Sequence, residues 1–228
     1  MLRAVLFDLD NTLIMKKPST VERLMELGAD EDAAMRAYAA SEAWQGAQIL
    51  HENRTGTRMD DAQYAEHVAR CYAGALGGRM DAARDAVTAR QPGSYACAPG
   101  TVETLRSVQK MRLSIGVASN NRAEIRGVLH ELGLTPFFGS ITISQEVGVL
   151  KPDPRILEIA CARLGVACVE VIYVGDHPFD ILCAHEAGMK IIWIPPNRHF
   201  TVPDGVSAPE WIARTIGEVP NLIRQMLT

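Results

Sequence analysis

The chain has 228 residues, of which 47% are hydrophobic and 22% are charged, and its formal net charge is −4. These values are typical of a globular protein with one large domain or with a domain that carries a sizeable insert. The sequence contains no basic run of the kind that binds nucleic acid, and no apolar run approaches the ~20 residues of a membrane span.

The N-terminal residues and the cysteines predict a cytoplasmic location. Asp8 and Asp10 interrupt the first apolar segment almost at once, so a signal peptide is not expected. The five cysteines form no C-x-x-C pair, so neither a disulfide framework nor a zinc site is indicated. Reduced thiols of this kind are usual in the cytoplasm.

Residues 4–13 predict a buried strand that ends in a group of polar residues. The apolar run has no polar interruption, which is typical of a strand buried on both faces. Asp8, Asp10 and Thr12 follow at spacings of two. Carboxylates at this spacing project to the same side of an extended chain. They repel each other by roughly 4 kcal/mol at 4 Å and an effective dielectric of about 20, so a cation, a shared proton or water must relieve the repulsion.

Residues 16 to about 95 predict an all-helical block. Three of its four helices have preferred N-cap residues, and glycines mark the ends of two of them. The candidate N-caps are Ser19 or Thr20, Asp30 and Asp60. The second helix is predicted to run to about Ile49 and the fourth from Asp81 to Arg90, before a break at Gln91-Pro92-Gly93-Ser94.

From Pro99 onward, predicted helices alternate with predicted strands. The strands cover residues 113–118, 141–143, 169–174 and 191–194, with a short edge strand at 211–213. This alternation predicts an α/β fold with a doubly wound parallel sheet and right-handed crossovers. Because the helical block falls between the first two strands, it is predicted to be an insert over the carboxyl edge of the sheet, placed to act as a lid.

Polar residues also follow the later strands. Ser119 and Asn120 follow the second strand at a predicted helix start, where backbone N–H groups and the helix dipole favour an anion. Lys151 precedes a Pro-Asp-Pro sequence, and Asp176 and Asp180 follow the fourth strand. Three of these residues have a plain alternative. Ser119 could be a helix cap, Lys151 a solvated surface residue and Asp180 a complement to the helix dipole. Since ligands bind outside the carboxyl ends of parallel strands, we expect these groups to converge.

The chemistry of this set of residues points to a metal and a phosphate. Carboxylate oxygens without histidine or thiolate partners suit a hard cation, most simply Mg²⁺. A metal removes the repulsion between an attacking carboxylate and a phosphate. A lysine, a hydroxyl group and a helix N-terminus then neutralise the phosphate oxygens in the transition state.

These motifs together resemble the haloacid dehalogenase-like (HAD) superfamily of hydrolases. The matching pieces are Asp8-Leu9-Asp10-Asn11-Thr12, Ser119, Lys151 and Gly175-Asp176-x-x-x-Asp180, in the order and spacing of that family. The resemblance covers the whole chain and implies the phosphatase type, with a helical cap inserted after the first strand. It implies a HAD-like Rossmannoid catalytic core at residues 1–15 and 96–228 and a helical cap at residues 16–95.

The resemblance also implies a mechanism and its residues. Asp8 would attack phosphorus to form an aspartyl-phosphate, and Asp10 would protonate the leaving oxygen and then activate water. Mg²⁺ would be held by Asp8, the backbone carbonyl of Asp10 and Asp176, with Asp180 orienting these ligands or binding through a water. The residues expected to hold the phosphate are Thr12, Ser119, Asn120 and Lys151.

Several alternatives share this core. A haloacid dehalogenase uses the same nucleophile without Mg²⁺ but generally lacks the acid at the position of Asp10. A phosphonate hydrolase would place a cap lysine in the site, and Lys16 and Lys17 are better explained as solvated residues. A sugar-phosphate mutase differs mainly in its cap. A non-catalytic binding protein is the remote alternative, since buried charges are costly to retain without a metal and an anion.

The expected substrate is a small phosphorylated metabolite, and neither nucleic acid nor membrane is expected as a partner. Oligomeric state has no signal in the sequence. Candidate residues for specificity lie in the cap, with Arg54 favoured for an anionic substrate tail, although each is also explained as cap core or exposed surface. These candidates are Trp44, His51, Arg54 and Tyr64. His177 either tunes the site or only begins a helix.

Overall fold

The computed structural model describes residues 1–57, 59–88, 94–202 and 204–227. It divides into two compact units. The α/β unit comprises Met1–Met15, Tyr95–Pro196 and Thr201–Thr228, and the helical unit comprises Lys16–Ser94 and Asn197–Phe200. The break predicted at Gln91-Pro92-Gly93 and the end of the fourth helix predicted at Arg90 lie outside the described residues.

The α/β unit contains a six-stranded parallel sheet. The eight strands of the chain are β1 (Ala4–Phe7), β2 (Ile14–Lys17), β3 (Ser94–Cys97), β4 (Ser114–Ser119), β5 (Ser140–Ile143), β6 (Val171–Gly175), β7 (Lys190–Trp193) and β8 (Trp211–Ile212). The sheet order is β5-β4-β1-β6-β7-β8, and the neighbouring strands are parallel throughout. All four residues of β1 are fully buried, which confirms the strand predicted to be covered on both faces.

Helices connect these strands as the alternating pattern predicts. They are α5 (Thr101–Lys110), α6 (Ile125–Glu131), α7 (Ser144–Val147), α8 (Arg155–Leu164), α9 (Pro178–Glu186) and α10 (Val219–Leu227). Short 3₁₀ turns cover Thr135–Phe137, Cys168–Glu170 and Ile216–Glu218. The arrangement confirms the predicted α/β fold with a doubly wound, Rossmann-like parallel sheet.

The helical unit contains the four predicted helices. They are α1 (Thr20–Glu26), α2 (Glu31–Thr55), α3 (Asp61–Ala73) and α4 (Met80–Thr88). The predicted N-caps are confirmed: Ser19, Asp30 and Asp60 each accept a backbone N–H from the residue three positions later. Helix α2 runs beyond the predicted end near Ile49 because no glycine or proline lies between that residue and Gly56, which takes a left-handed conformation with φ of 71°.

Aromatic side chains form part of the interior of the helical unit. Trp44 on α2 packs against Tyr64 on α3, with ring centroids 5.3 Å apart, and stacks on His67 at 4.8 Å. Trp44 and Tyr64 both pack against the buried cluster of this unit. This position supports the plain interpretation of Trp44 and Tyr64 as packing residues.

A short segment that follows β7 belongs to the helical unit rather than to the sheet. In Asn197–Phe200, Arg198 and His199 both contact the carboxylate of Asp32 on α2, and the His199 Nε2 lies 2.9 Å from Asp32 Oδ1. The ring of Phe200 packs on Tyr38 with centroids 5.6 Å apart. The helical unit is therefore assembled from two separate stretches of the sequence.

Strands β2 and β3 were not predicted from the sequence. They pair with each other as a separate two-stranded sheet. The chain passes from the α/β unit to the helical unit within β2 and returns within β3. Both strands are four residues long and have no alternating apolar pattern, so periodicity gave no signal for them.

None of the helices in the described part of the chain combines the length and the apolar character needed to cross a bilayer. The five cysteines all fall in described residues and are unpaired.

Close packing around β4 generates a stability prediction. A Cβ on Gly116 would lie 2.7 Å from Leu6 Cδ2, 3.0 Å from Leu164 Cδ1 and 3.3 Å from the Ser140 carbonyl oxygen. We expect Gly116→Ala to lower the free energy of unfolding by about 1–3 kcal/mol, because an extra methyl group in a packed core forces its neighbours to move. Urea unfolding of the two proteins measures the difference.

The matched control is Gly127→Ala on helix α6, where a Cβ meets no atom within 4 Å. This change is expected to leave stability unaltered or to raise it by up to about 1 kcal/mol through helix propensity. Equal unfolding midpoints for wild type and Gly116→Ala would contradict the packing described for β4.

Candidate active site

Polar side chains collect at the carboxyl end of the three central strands. Asp8 follows β1, Ser119 ends β4 and Asp176 follows β6. Because β1 lies between β4 and β6, these three residues occupy one edge of the sheet. The Asp8 N–H donates to the Val174 carbonyl at 2.8 Å, which continues the pairing of β1 with β6 into the site. All three side chains are buried.

Lys151 joins these strand ends through its ammonium group. Its Nζ donates to Asp8 Oδ1 at 2.8 Å, to Asp180 Oδ1 at 2.6 Å and to the Tyr173 hydroxyl at 3.0 Å. These three contacts match the three protons of an ammonium group. Burial lowers the pKa of Lys151, but the charges of Asp180 and Asp8 outweigh that effect, and the pKa lies well above its usual value.

Tyr173 is a site residue that the sequence analysis missed. It lies on β6, is fully buried, and donates its hydroxyl proton to the Ala118 carbonyl at 2.8 Å while accepting from Lys151. A signal for it exists in the sequence, since the hydroxyl of a tyrosine within a buried strand must find a hydrogen-bond partner. Tyr173 therefore fixes Lys151 relative to the end of β4.

Asp180 is the most deeply buried of the acids. It lies in the first turn of α9, its Oδ1 accepts from Lys151, and its Oδ2 accepts the His177 N–H at 2.9 Å. A side chain on Gly175 would overlap the Asp180 carboxylate, so only glycine permits this approach. In the Gly-Asp-x-x-x-Asp sequence, the glycine is therefore required for steric reasons and the two aspartates for chemical ones.

His177 acts in the structure as the N-cap of α9. Its Nδ1 accepts the Phe179 N–H at 3.0 Å, and its ring lies against that of Phe179 with centroids 4.9 Å apart. These contacts support the interpretation of His177 as a residue that begins a helix.

The electrostatics of Asp8 reflect its burial. Burial raises its pKa to about 6, the Lys151 charge opposes this rise, and the Asp180 and Asp10 charges add to it. Desolvation disfavours the charged form of a carboxyl group, and nearby carboxylates act in the same direction. Full ionisation of Asp8 near neutral pH therefore depends on positive charge close to it.

Three of the carboxylates form a cluster with the properties of a cation site. Oxygen atoms of Asp8, Asp176 and Asp180 all lie within 4.8 Å of one another, and all three residues are buried. Lys151 supplies one positive charge against these three carboxylates. Hard oxygen ligands with an excess of negative charge fit Mg²⁺, so the residues present are suited to this ion.

The remaining acid, Asp10, has a different partner. Asn121 Nδ2 donates to Asp10 Oδ2 at 2.7 Å, whereas the cluster of close carboxylate oxygens is formed by Asp8, Asp176 and Asp180. Thr12 is buried, and its hydroxyl lies 3.4 Å from Asp176 Oδ1. Asp10 and Thr12 are predicted from the sequence, whereas Asn121 is not, because the preference of an amide for one loop contact has no sequence signature.

Asn120 holds the backbone of Lys151. Its Oδ1 accepts the Lys151 N–H at 2.7 Å and its Nδ2 donates to the Lys151 carbonyl at 2.9 Å. The helix predicted to start at Ser119-Asn120 is wrong: α6 begins at Ile125, and the intervening residues form a loop. The two asparagine side chains bond to other segments here, which favours a loop over a helix.

Comparison with known proteins identifies the family of the chain. The family model of the haloacid dehalogenase-like hydrolases matches residues 5–194. A phosphoglycolate phosphatase of Rhodospirillum rubrum is 29% identical over 205 residues, which cover 83% of this chain and 78% of that protein. The phosphoglycolate phosphatase of Pasteurella multocida is 27% identical over 129 residues, which cover 57% of each chain. The chain spans about half the length of several other curated relatives that it matches.

Among solved structures, the L-2-haloacid dehalogenase of Xanthobacter autotrophicus with chloropropionic acid covalently bound has the same fold. Its TM-score is 0.65 at 17% identity, and the similarity covers 99% of this chain and 100% of that one. The family match, together with the motifs at the ends of β1, β4 and β6, shows that the chain belongs to the haloacid dehalogenase-like hydrolases.

Proposed function

We propose that this protein is a Mg²⁺-dependent phosphatase that hydrolyses a small phosphomonoester through an aspartyl-phosphate. The observation that carries the proposal is the buried contact between Asp8 and Lys151 beside Asp176 and Asp180. In this arrangement a carboxylate that could act as a nucleophile lies beside a lysine and acids that suit a cation, which supports the proposal. The family membership of the chain supports the same class of chemistry.

Asp8 is the proposed nucleophile. Its carboxylate oxygen attacks phosphorus, the bond from phosphorus to the substrate oxygen breaks, and an acyl phosphate forms on Asp8. Its position directly after the central strand β1 holds the carboxylate rigidly, because the backbone of Asp8 is still bonded to β6. A fixed nucleophile lowers the entropic part of the barrier.

Asp10 is the proposed general acid and base. It donates a proton to the leaving oxygen as the phosphorus–oxygen bond breaks. In the second step it takes a proton from the water that attacks the acyl phosphate, which releases inorganic phosphate and restores Asp8. Asp10 is two residues from Asp8 and has its own partner, Asn121, so the two acids are held in different surroundings.

The phosphate oxygens would be bound by groups around Asp8. Lys151 supplies the positive charge, and Thr12 and Ser119 supply buried hydroxyl groups. Asn120 contributes through its backbone, since its side chain is bonded to Lys151. These donors would neutralise the charge on the equatorial oxygens in the transition state.

The residues proposed to hold Mg²⁺ are Asp8, Asp176 and the backbone carbonyl of Asp10, with Asp180 orienting the set. When bound, the ion supplies positive charge that relieves the repulsion between the carboxylate of Asp8 and the phosphate. The clustered oxygens of Asp8, Asp176 and Asp180 support this assignment.

The proposed substrate class is a small phosphorylated metabolite. The names of the Rhodospirillum and Pasteurella relatives favour phosphoglycolate as the first compound to test. We also propose that residues 1–15 and 96–228 form the catalytic core and residues 16–95 a cap, which the two compact units support. Dehalogenation of a 2-haloacid remains the alternative on the same fold, and the presence of Asp10 favours phosphate chemistry. The cytoplasmic location stays a prediction.

The first experiment measures phosphate release from a panel containing phosphoglycolate, other small phosphomonoesters and an aryl phosphate, with Mg²⁺ and with chelator. We expect release that requires Mg²⁺ and that is abolished in Asp8→Asn, because the amide removes the nucleophile without changing the shape of the side chain. The circular dichroism spectrum of the variant should match that of wild type. If the protein released chloride from a 2-haloacid but phosphate from none of the esters, the proposed phosphatase function would be wrong and the dehalogenase alternative would take its place.

A second experiment concerns the metal and needs no substrate. At a Mg²⁺ concentration about a hundred times its Kd, binding adds about 2.7 kcal/mol to the free energy of unfolding. For a chain of this length, that raises the melting temperature by roughly 5–10 °C. Most of this shift should be lost in Asp176→Asn, with NaCl of equal ionic strength as the control. An equal shift in both proteins would place the ion elsewhere.

A third experiment concerns the acid and base. Asp10→Asn is expected to lower kcat by about 10²–10⁴-fold, the usual contribution of a positioned acid or base. The loss in the rate of the first step should be larger for an alkyl phosphate than for an aryl phosphate, because a good leaving group departs without a proton, whereas the second step needs Asp10 for both substrates. A near-normal rate on the alkyl phosphate would remove Asp10 from this role.

A further inference from the structure

The loop after β4 carries a contact that the proposed mechanism does not yet use. The side-chain amide of Asn121 donates to Asp10 Oδ2 at 2.7 Å, across 111 positions of sequence. This is a short hydrogen bond from a neutral donor to a carboxylate. It joins the loop that follows β4 to the loop that follows β1.

Hydrogen bonds at both the oxygen and the nitrogen of the Asn121 side chain determine the orientation of its amide group. Its Oδ1 accepts the backbone N–H of Arg122 at 3.0 Å, while its Nδ2 faces Asp10. A flipped amide would set its oxygen against a carboxylate oxygen and its NH₂ group against a backbone N–H, so both contacts would be repulsive. Only one orientation of the side chain is therefore compatible with its surroundings.

The backbone of Asn121 is also held in place. Its N–H donates to the Ser144 hydroxyl at 3.1 Å, and its carbonyl accepts from that hydroxyl at 3.2 Å and from the Gln145 N–H at 3.3 Å. Ser144 is the first residue of α7, directly after β5. The Gln145 side chain accepts the Ala123 N–H at 2.8 Å, which ties the same loop to α7 a second time. A donor on a restrained loop restrains the group that it contacts.

From these contacts we propose that Asn121 is a positioning residue for Asp10. Fixing Oδ2 fixes the plane of the Asp10 carboxyl group and thus the direction in which it exchanges a proton with the substrate. In the first step the proton passes from Asp10 to the leaving oxygen as the phosphorus–oxygen bond breaks. In the second, Asp10 takes the proton of the attacking water. The proposal rests on the proposed phosphatase function.

Asn121 differs in kind from the phosphate-binding residues. It contacts neither Asp8 nor Lys151 among its described hydrogen bonds, so its removal should leave phosphate binding intact. A misplaced acid affects substrates according to how much their leaving groups need a proton. Leaving-group dependence therefore separates this role from a general weakening of the site.

The test compares Asn121→Ala with wild type on two substrates, an alkyl phosphate and p-nitrophenyl phosphate, in the presence of Mg²⁺. We expect kcat for the alkyl phosphate to fall about tenfold or more with little change in KM, since small misplacements of a catalytic group cost one to two orders of magnitude. For the aryl phosphate, stopped flow should show a burst of nitrophenol at a rate within threefold of wild type. Slower steady-state turnover should follow, because the second step still uses Asp10 as a base.

Two further variants complete the design. Asn121→Leu keeps the approximate shape of the side chain but has no donor for Asp10, so it should show the same selective loss and serves if the alanine variant does not fold. Arg122→Ala removes an exposed side chain from the same loop and keeps the backbone N–H that Asn121 Oδ1 accepts, so its ratio of alkyl to aryl rates should stay within twofold of wild type.

The outcomes distinguish the two proposals. A wild type that releases phosphate from neither substrate overturns the phosphatase function and this inference with it. A wild type that hydrolyses both, with Asn121 variants in which the alkyl kcat and the aryl burst rate fall equally, in which only KM changes or in which nothing changes, overturns the inference alone. Selective loss on the alkyl phosphate, with the normal aryl burst, supports it.

Discussion

The contact of one buried ammonium group with two buried carboxylates is the constraint on which the site depends. Lys151 lies between Asp8 and Asp180. All three side chains are buried, so water does not solvate their charges. Removing one partner of such a group leaves an uncompensated charge, at a cost of about 3–5 kcal/mol. Replacing all of these charged residues by apolar ones of similar volume would leave no buried charge without a partner, so this cost would not arise. The retention of the charges therefore points to chemistry rather than to stability.

The parallel sheet makes this contact possible. Residues from four distant stretches of sequence meet because the strands that precede them end at the same edge, with β1 in the centre. The packing is close, because only glycine at position 175 leaves room for the Asp180 carboxylate. The Tyr173 hydroxyl links Lys151 to the carbonyl of Ala118 through two hydrogen bonds. The site is thus held by backbone groups of the sheet as much as by its charges, which is the form of support that precise catalytic geometry requires.

Much of this arrangement was predictable from the sequence, and the failures have physical reasons. Continuous apolar runs and N-cap residues are strong signals, so the parallel sheet and the capped helices α1 to α3 are predicted correctly. Strands β2 and β3 lack the continuous apolar run that marks a strand of equal length such as β1. The sequence predicts a helix start at Ser119-Asn120 where the structure has a loop, because serine and asparagine favour both a cap and a loop, and only tertiary contacts decide between them. The contact of Asn121 with Asp10 has no signature in the sequence.

The segment Asn197–Phe200 limits how the helical unit of this fold can be replaced by another one. An insert between two strands resembles a cassette that can be replaced by cutting the chain at two points. Here a second stretch, from beyond β7, completes the helical unit through contacts with Asp32 and Tyr38. A chimera that transplants only the inserted helices would leave these partners behind. Diversification of such a unit, in the laboratory or in evolution, has to alter a loop of the sheet at the same time.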